Sequence, residues 1–179
     1  MTREVCVVSY DSNWPEQYKQ EIIRIKTVLG MEIVSTHHIG STSIPGMSAK
    51  PIIDILLEVK NIEKIDNYND EMISLGYEPR VELGISCRRY FSREKPLDVR
   101  THHVHAYQKD NIELDRHLAF REYMIAHPED ADIYSELKMV LARRFQWDID
   151  GYISGKHVYM ERMEKVAVAW YRSFHTSKD

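Results

Sequence analysis

Apolar positions along the chain follow two periods, and the change between them divides the sequence. In "SNWPEQYKQEIIRIKTVLG", Tyr18, Ile22, Ile25 and Leu29 recur at helical spacing. Ser12 or Asn13 offers a capping oxygen, Pro15 suits a first turn, and Gly30 ends the helix. This helix should lie on a sheet. "EIVSTHHIG" then reads as a strand, and "KPIIDILLEV" as a second whose apolar residues fall on both faces, the mark of a central strand. "NIEKIDNYNDEMISLGY" reads as a helix closed by Gly76. Two β-rich runs, "ISCRRYFSR" and "LDVRTHHVHAYQ", are separated by the turn chemistry of "EKP", so a hairpin is expected.

From Asn111 onward only helical patterns remain. Leu114, Leu118 and Ile125 share one face of a helix that His127-Pro128 breaks, because the residue before proline is pushed out of the helical region. Ile133, Leu137, Val140 and Leu141 form the stripe of the next helix. Met160, Met163, Ala167, Trp170 and Phe174 form that of a last helix starting near Tyr152. The pattern predicts an α+β protein: a mixed β-sheet flanked by helices over residues 1–110, then a three-helix segment over 111–179.

Composition narrows the partners. The chain has 179 residues, 43% apolar and 29% charged, which is ordinary for a globular protein. Its net charge of -4 argues against general affinity for nucleic acid or membranes, since both need a positive field. Cys6 and Cys87 match no metal-ligand spacing and are expected to be buried thiols. No apolar stretch reads as a signal peptide or approaches bilayer length, so a cytoplasmic location is the default expectation.

The chemistry concentrates in "HHIGSTSIPGMSAKPIIDILLEV". A turn at Gly40, Ser41 and Thr42 could aim backbone amides and hydroxyls at phosphate oxygens, with Asp54 on the following strand. A carboxylate near phosphates calls for a divalent cation between them. Gly40-Ser41, twelve residues and then Asp54 among apolar neighbours resembles the signature of the polymerase-β-like nucleotidyltransferase superfamily. With "YDSNWPEQY", "HHVHAY", "LAFREYMIAHPEDADIYSELK" and "YISGK", the whole chain resembles the GrpB (UPF0157) family. The resemblance implies a nucleotidyltransferase-like mixed sheet, Asp54 and Ser41 at the reacting centre, and a family found alone or fused to dephospho-CoA kinase. One departure matters: active superfamily members carry a second acid two residues after the first, and here that position is Leu56. Glu58 shares the face of Asp54 but lies about 13 Å along the strand, too far to hold the same ion.

"THHVHAY" offers a replacement. His103 and His105 project to one side of a strand and His102 to the other; beside Asp54 they would form a site for Mg²⁺ or Mn²⁺, or for Zn²⁺ or Fe²⁺, and His38 could join from the preceding strand. The competing reading makes these histidines half-buried, hydrogen-bonded sheet residues. Lys50, Arg89 and Lys156 are the candidate cationic partners of a nucleotide's phosphates, each of them equally readable as a surface charge, and Tyr152 stands four residues before Lys156. Arg121 and Glu122 read as a structural charged pair. Three functions stay open: a nucleotidyltransferase binding a nucleotide or other phosphorylated small molecule; a catalytically incomplete ligand-binding or accessory module, with a coenzyme A pathway association; and a metal-dependent phosphoesterase.

Overall fold

The computed structural model describes residues 4–96 and 99–175. Helix α1 spans Trp14–Leu29, with its proline in the first turn and Gly30 at its C-terminal cap. Strands follow in the order β1 (Ile33–Ile39), β2 (Ile53–Val59), β3 (Tyr77–Pro79), β4 (Arg88–Lys95) and β5 (Val99–Gln108). A 3₁₀ turn at Glu63–Tyr68 and the short α2 (Asn69–Ser74) lie between β2 and β3. Helices α3 (Ile112–Ala126), α4 (Pro128–Arg144) and α5 (Ile149–His175) complete the order. The fold is α+β, as the hydrophobic pattern implied.

The chain forms two compact units: one contains Ser12–Ile39 and Ile52–Leu114, the other the described residues of Met1–Asp11, Gly40–Pro51 and Asp115–Asp179. A single cut near residues 108–112 does not describe this arrangement, because the N-terminal segment and the loop after β1 group with the helices.

In the sheet unit the five strands are ordered β1-β2-β5-β4-β3. Strand β2 is antiparallel to β1 and parallel to β5, and β5 is antiparallel to β4. Ile53, Ile55, Leu56, Leu57 and Val59 are all buried, which is why the run reads as apolar on both sides. The hairpin of β4 and β5 is present, with Glu94 and Lys95 of the expected turn continuing β4; Leu97 and Asp98, the start of the second expected run, lie outside the described residues. Of the run "ISCRRYFSR", Ile85 to Cys87 fall outside the strand, and Cys87 takes a positive φ of 61°. The expected helix over 61–77 is half 3₁₀, and Gly76 ends it at φ 89°, a backbone conformation that glycine adopts without steric cost. The short β3 then pairs with β4, so one edge strand went unread in the sequence.

One face of the sheet receives α1. Tyr18 donates to Thr36 and stacks on His38. Glu21, 4% exposed, accepts hydrogen bonds from Tyr77 at 2.9 Å and Arg93 at 2.7 Å and pairs with Arg24. Burial alone would raise the Glu21 pKa, but Arg93, His102, Tyr77 and Arg24 together hold it below the ordinary value.

In the helical unit, Ala119, Phe120, Tyr123 and Met124 of α3 pack with Ala131 and Tyr134 of α4 and Met163 and Ala167 of α5. Ile44 and Met47 of the loop join the same core. Of the expected faces of α3 and α4, Leu114 and Leu141 are buried and Leu137 packs against the core. Ile125, Ile133 and Val140 are exposed, and the buried positions of α4 are Ala131, Tyr134, Lys138, Leu141 and Ala142. Phe174 is exposed too, while Met163 and Ala167 hold the core side of α5. Arg121 bonds Glu122 on its own helix; the pair linking α3 to α5 is Arg116 with Glu164, at 2.8 Å. Both cysteines are exposed, not buried: Cys6 lies in the N-terminal segment and Cys87 immediately before β4.

Candidate functional site

Strand register builds the first constellation. Asp54 pairs with His103 across the parallel β2–β5 ladder, and Leu56 with His105. Because successive residues alternate faces, Asp54, Leu56, His103 and His105 share one face, opposite the face that receives α1. His103 Nδ1 lies 3.0 Å from Asp54 Oδ1, and His105 Nε2 lies 3.7 Å from the same oxygen. Leu56, where a second acid would stand, is fully buried, and its neighbour in register, His105, brings an imidazole to the carboxylate instead. Glu58 is engaged elsewhere, accepting a hydrogen bond from Ser35 at 2.6 Å.

Electrostatics set the protonation of this group. Burial alone would raise the Asp54 pKa, but hydrogen bonds from His103 and His105 overcome it and hold the carboxyl well below the ordinary range. Burial pushes His105 down, aided by the His103 and Arg88 charges and opposed by Asp54. An ionised carboxylate beside a neutral imidazole is the protonation state in which both bind metal. Tyr90 lines the same face, with its ring centroid 5.5 Å from that of His103 and 5.1 Å from that of His105. The Arg88 guanidinium covers Tyr90 at 4.9 Å and reaches His105 Nδ1 at 3.5 Å, while bonding the Glu82 and Leu83 carbonyls.

The three residues fit a divalent ion. Their ligand atoms lie within 4.8 Å of one another. His103 Nε2 is buried without a hydrogen-bond partner among the described residues. Two imidazoles and one carboxylate form a donor set that suits Mn²⁺, Fe²⁺ or Zn²⁺ better than Mg²⁺, and three protein ligands leave positions open.

Two candidates do not join. His38 pairs with Ile55, which places it on the opposite face against Tyr18. Arg89 is likewise on that face, and its guanidinium forks onto Asp66 at 2.6 and 2.9 Å. Arg88, one residue earlier, is the arginine on the Asp54 face.

The second constellation lies in the helical unit. Gly40 takes φ 71° and ψ -174°, a conformation open to glycine, and starts the 3₁₀ turn Ser41–Ser43. Lys138 of α4, 2% exposed, donates to Ser41 Oγ at 2.8 Å and to the Ser48 carbonyl. Its Nζ lies 4.4 Å from the centre of the Tyr134 ring. Burial, and then the charge of Lys156, push the Lys138 pKa down to about 7. Lys50 and Lys156 approach the Tyr152 ring at 5.4 and 5.2 Å. Thr42 is buried.

Lys138 was missed as a functional candidate because the stripe read for α4 overlaps its buried face only in part, at Leu137 and Leu141. The available signal was the spacing Ala131, Tyr134, Lys138, Leu141, a helical face that is apolar apart from one lysine.

A family model described as "GrpB protein" matches residues 4–166. The chain belongs to the GrpB family. It is 45% identical over 168 residues to the UPF0157 protein YqkA of Bacillus subtilis, covering 94% of this chain and 48% of that one, so the chain spans about half of YqkA. To the UPF0157 protein PA4798 of Pseudomonas aeruginosa it is 36% identical, over 91% of this chain and 67% of that one. The crystal structure of conserved protein GrpB from Enterococcus faecalis superposes with a TM-score of 0.88 at 42% identity, covering 93% of this chain and 99% of that chain. A Cid1 poly(U) polymerase mutant bound to MgATP shares the fold alone, with a TM-score of 0.52 at 11% identity over 77% of this chain and 45% of that one. The fold of this GrpB chain is thus nucleotidyltransferase-like, as its loop and strand signature implied. Among the described residues no helix is long and apolar enough to cross a membrane.

Proposed function

We propose that this GrpB chain binds a nucleotide or related phosphorylated small molecule through a divalent cation held by Asp54, His103 and His105. The observation that carries this reading is the parallel register that sets both imidazoles against one ionised carboxylate. The fold shared with a MgATP-bound polymerase supports the ligand class. When bound, the cation would supply positive charge to phosphate oxygens. The chain's own residues keep the site ready: His105 stays neutral by burial, Asp54 stays ionised, and Tyr90 and Arg88 fix the His105 ring. In the helical unit, Gly40, Ser41, Thr42, Lys50 and Lys156 are the proposed phosphate donors, a set to be tested by itself.

Binding without turnover is favoured over nucleotidyl transfer by two observations. Leu56 is buried where a second acid would stand, and Glu58 is tied to Ser35, so one carboxylate serves where two-metal chemistry uses several. A ligand from the coenzyme A pathway fits this reading, because dephospho-CoA kinases of Mycolicibacterium paratuberculosis and Mycobacterium bovis are 25% identical to nearly the whole chain, which matches 46–47% of their length. Calorimetric titration with ATP and with dephospho-coenzyme A, with and without Mn²⁺, tests the proposal. Metal-dependent binding that falls at least about tenfold in Asp54→Ala is expected, a loss of ~1.4 kcal/mol. Equal affinity in that variant contradicts it. Release of pyrophosphate or phosphate during incubation would restore the transferase or phosphoesterase reading.

A further inference from the structure

We infer that Ser41 and Lys138 form a nucleophile–base pair in the helical unit, able to take an acyl group from an activated ester or thioester. This goes beyond nucleotide binding and does not depend on it. The geometry is that of an activated serine: Lys138 Nζ stands 2.8 Å from Ser41 Oγ, and the hydroxyl is half-buried while the amine behind it is closed off from solvent. The lysine is also oriented. Its second bond goes to the Ser48 carbonyl, and Ser48 is itself fixed because its backbone N–H donates to Ser135 Oγ at 2.9 Å.

The surroundings favour the free amine. Among the described residues no carboxylate pairs with Lys138: the loop presents a hydroxyl and a carbonyl, α4 the Tyr134 ring, and α5 the like charge of Lys156. A neutral lysine can donate one hydrogen to Ser48 and keep its lone pair for the Ser41 proton. A buried lysine that served only to hold the loop would gain from an acid partner, and none is supplied.

The step balances as follows. The Ser41 O–H bond breaks and its proton passes to Lys138 Nζ, while Oγ bonds the acyl carbon. The bond from that carbon to the carrier's oxygen or sulfur breaks, and the leaving group takes the proton back from Nζ. Water, giving a proton to the same amine, then bonds the acyl carbon; the bond from that carbon to Ser41 Oγ breaks, Oγ takes the proton back from Nζ, and the acyl group leaves as a carboxylic acid. Lys50 and Lys156, both near the Tyr152 ring, favour a carrier bearing negative charge.

A fluorophosphonate probe tests the pair without metal or nucleotide, so this result and the failure of the nucleotide reading are separable. Ser41 Oγ would attack phosphorus with loss of fluoride and a proton, leaving a stable adduct that intact-mass and peptide measurements locate. The expected result is one adduct, on Ser41, forming at a rate that rises with pH through about 7. The adduct should be absent in Ser41→Ala. Lys138→Arg, which keeps a donor to the loop but cannot accept a proton at these pH values, should label at least about 100-fold more slowly while unfolding near the wild-type temperature. No adduct on wild-type Ser41, labelling of Ser43 at the same rate, or wild-type labelling of Lys138→Arg would each overturn the inference.

Discussion

The two units solve the burial of charge in opposite ways. In the sheet unit the two inward-facing acids, Glu21 and Asp54, have counterparts: Glu21 is shared by Tyr77, Arg93 and Arg24, and Asp54 by two imidazoles. In the helical unit Lys138 is buried without an acid and responds by giving up its charge near neutral pH. Pairing keeps a buried group ionised; isolation neutralises it. The first arrangement suits a site for a cation, and the second suits a base.

Removing one member from each region sharpens the contrast. In the sheet unit Glu21→Ala leaves Arg93 and Tyr77 without their shared acceptor beneath α1, and a loss of about 3–5 kcal/mol is expected by denaturant unfolding. A loss below about 1 kcal/mol would mean that this network is as weak as an exposed pair.

A smaller and differently shaped effect is expected for Lys138→Met. The methionine fills similar volume and removes a charge that had to be neutralised, at the cost of leaving the Ser48 carbonyl without its donor. At pH 7 the net change should stay within about 1 kcal/mol. The pH dependence carries the diagnosis. The Lys138 pKa lies near 7 in the folded chain and near 10.5 ordinarily, so between these values the unfolded chain holds a proton that the folded chain does not. The Lys138 contribution therefore rises with pH above 7, and its burial penalty is fully present below. Between pH 7 and 9 the wild type should gain about 2–3 kcal/mol relative to Lys138→Met. Parallel stability curves would show that Lys138 stays charged when buried.

The same contrast explains what could be read from the sequence. Strand sites were legible because a strand has period 2 and any neighbour in register presents the same face: His103 and His105 could be placed on one side, and only their proximity to Asp54 had to await the β2–β5 pairing. His38 shows the corresponding failure, since one residue of alternation turns a side chain to the opposite face. Helical faces were less secure. Ile133, Leu137, Val140 and Leu141 make an acceptable stripe, yet it overlaps the buried side only in part, at Leu137 and Leu141, and the Ala131, Tyr134 and Ala142 of that side are small or aromatic enough to pack closely. Hydrophobicity ranked isoleucine and valine above alanine and tyrosine; packing in this core did not. Lys138 was hidden by that preference. The grouping of the loop after β1 with the helices had no signature in pattern or composition, because it rests on Ile44 and Met47 packing against residues some 75 to 120 positions later in sequence.

The central claim is that β2 and β5 together build one cation site, and titration of the metal-free chain with Mn²⁺ and Zn²⁺ by calorimetry tests it most directly. One ion per chain is expected. Affinity should fall at least about 100-fold in Asp54→Ala, a loss of ~2.7 kcal/mol, and by about tenfold or more in His103→Ala and in His105→Ala. His38→Ala, altered on the opposite face of the same sheet, should bind as the wild type does. Unchanged affinity in Asp54→Ala, or a loss in His38→Ala as large as in His105→Ala, would contradict the site.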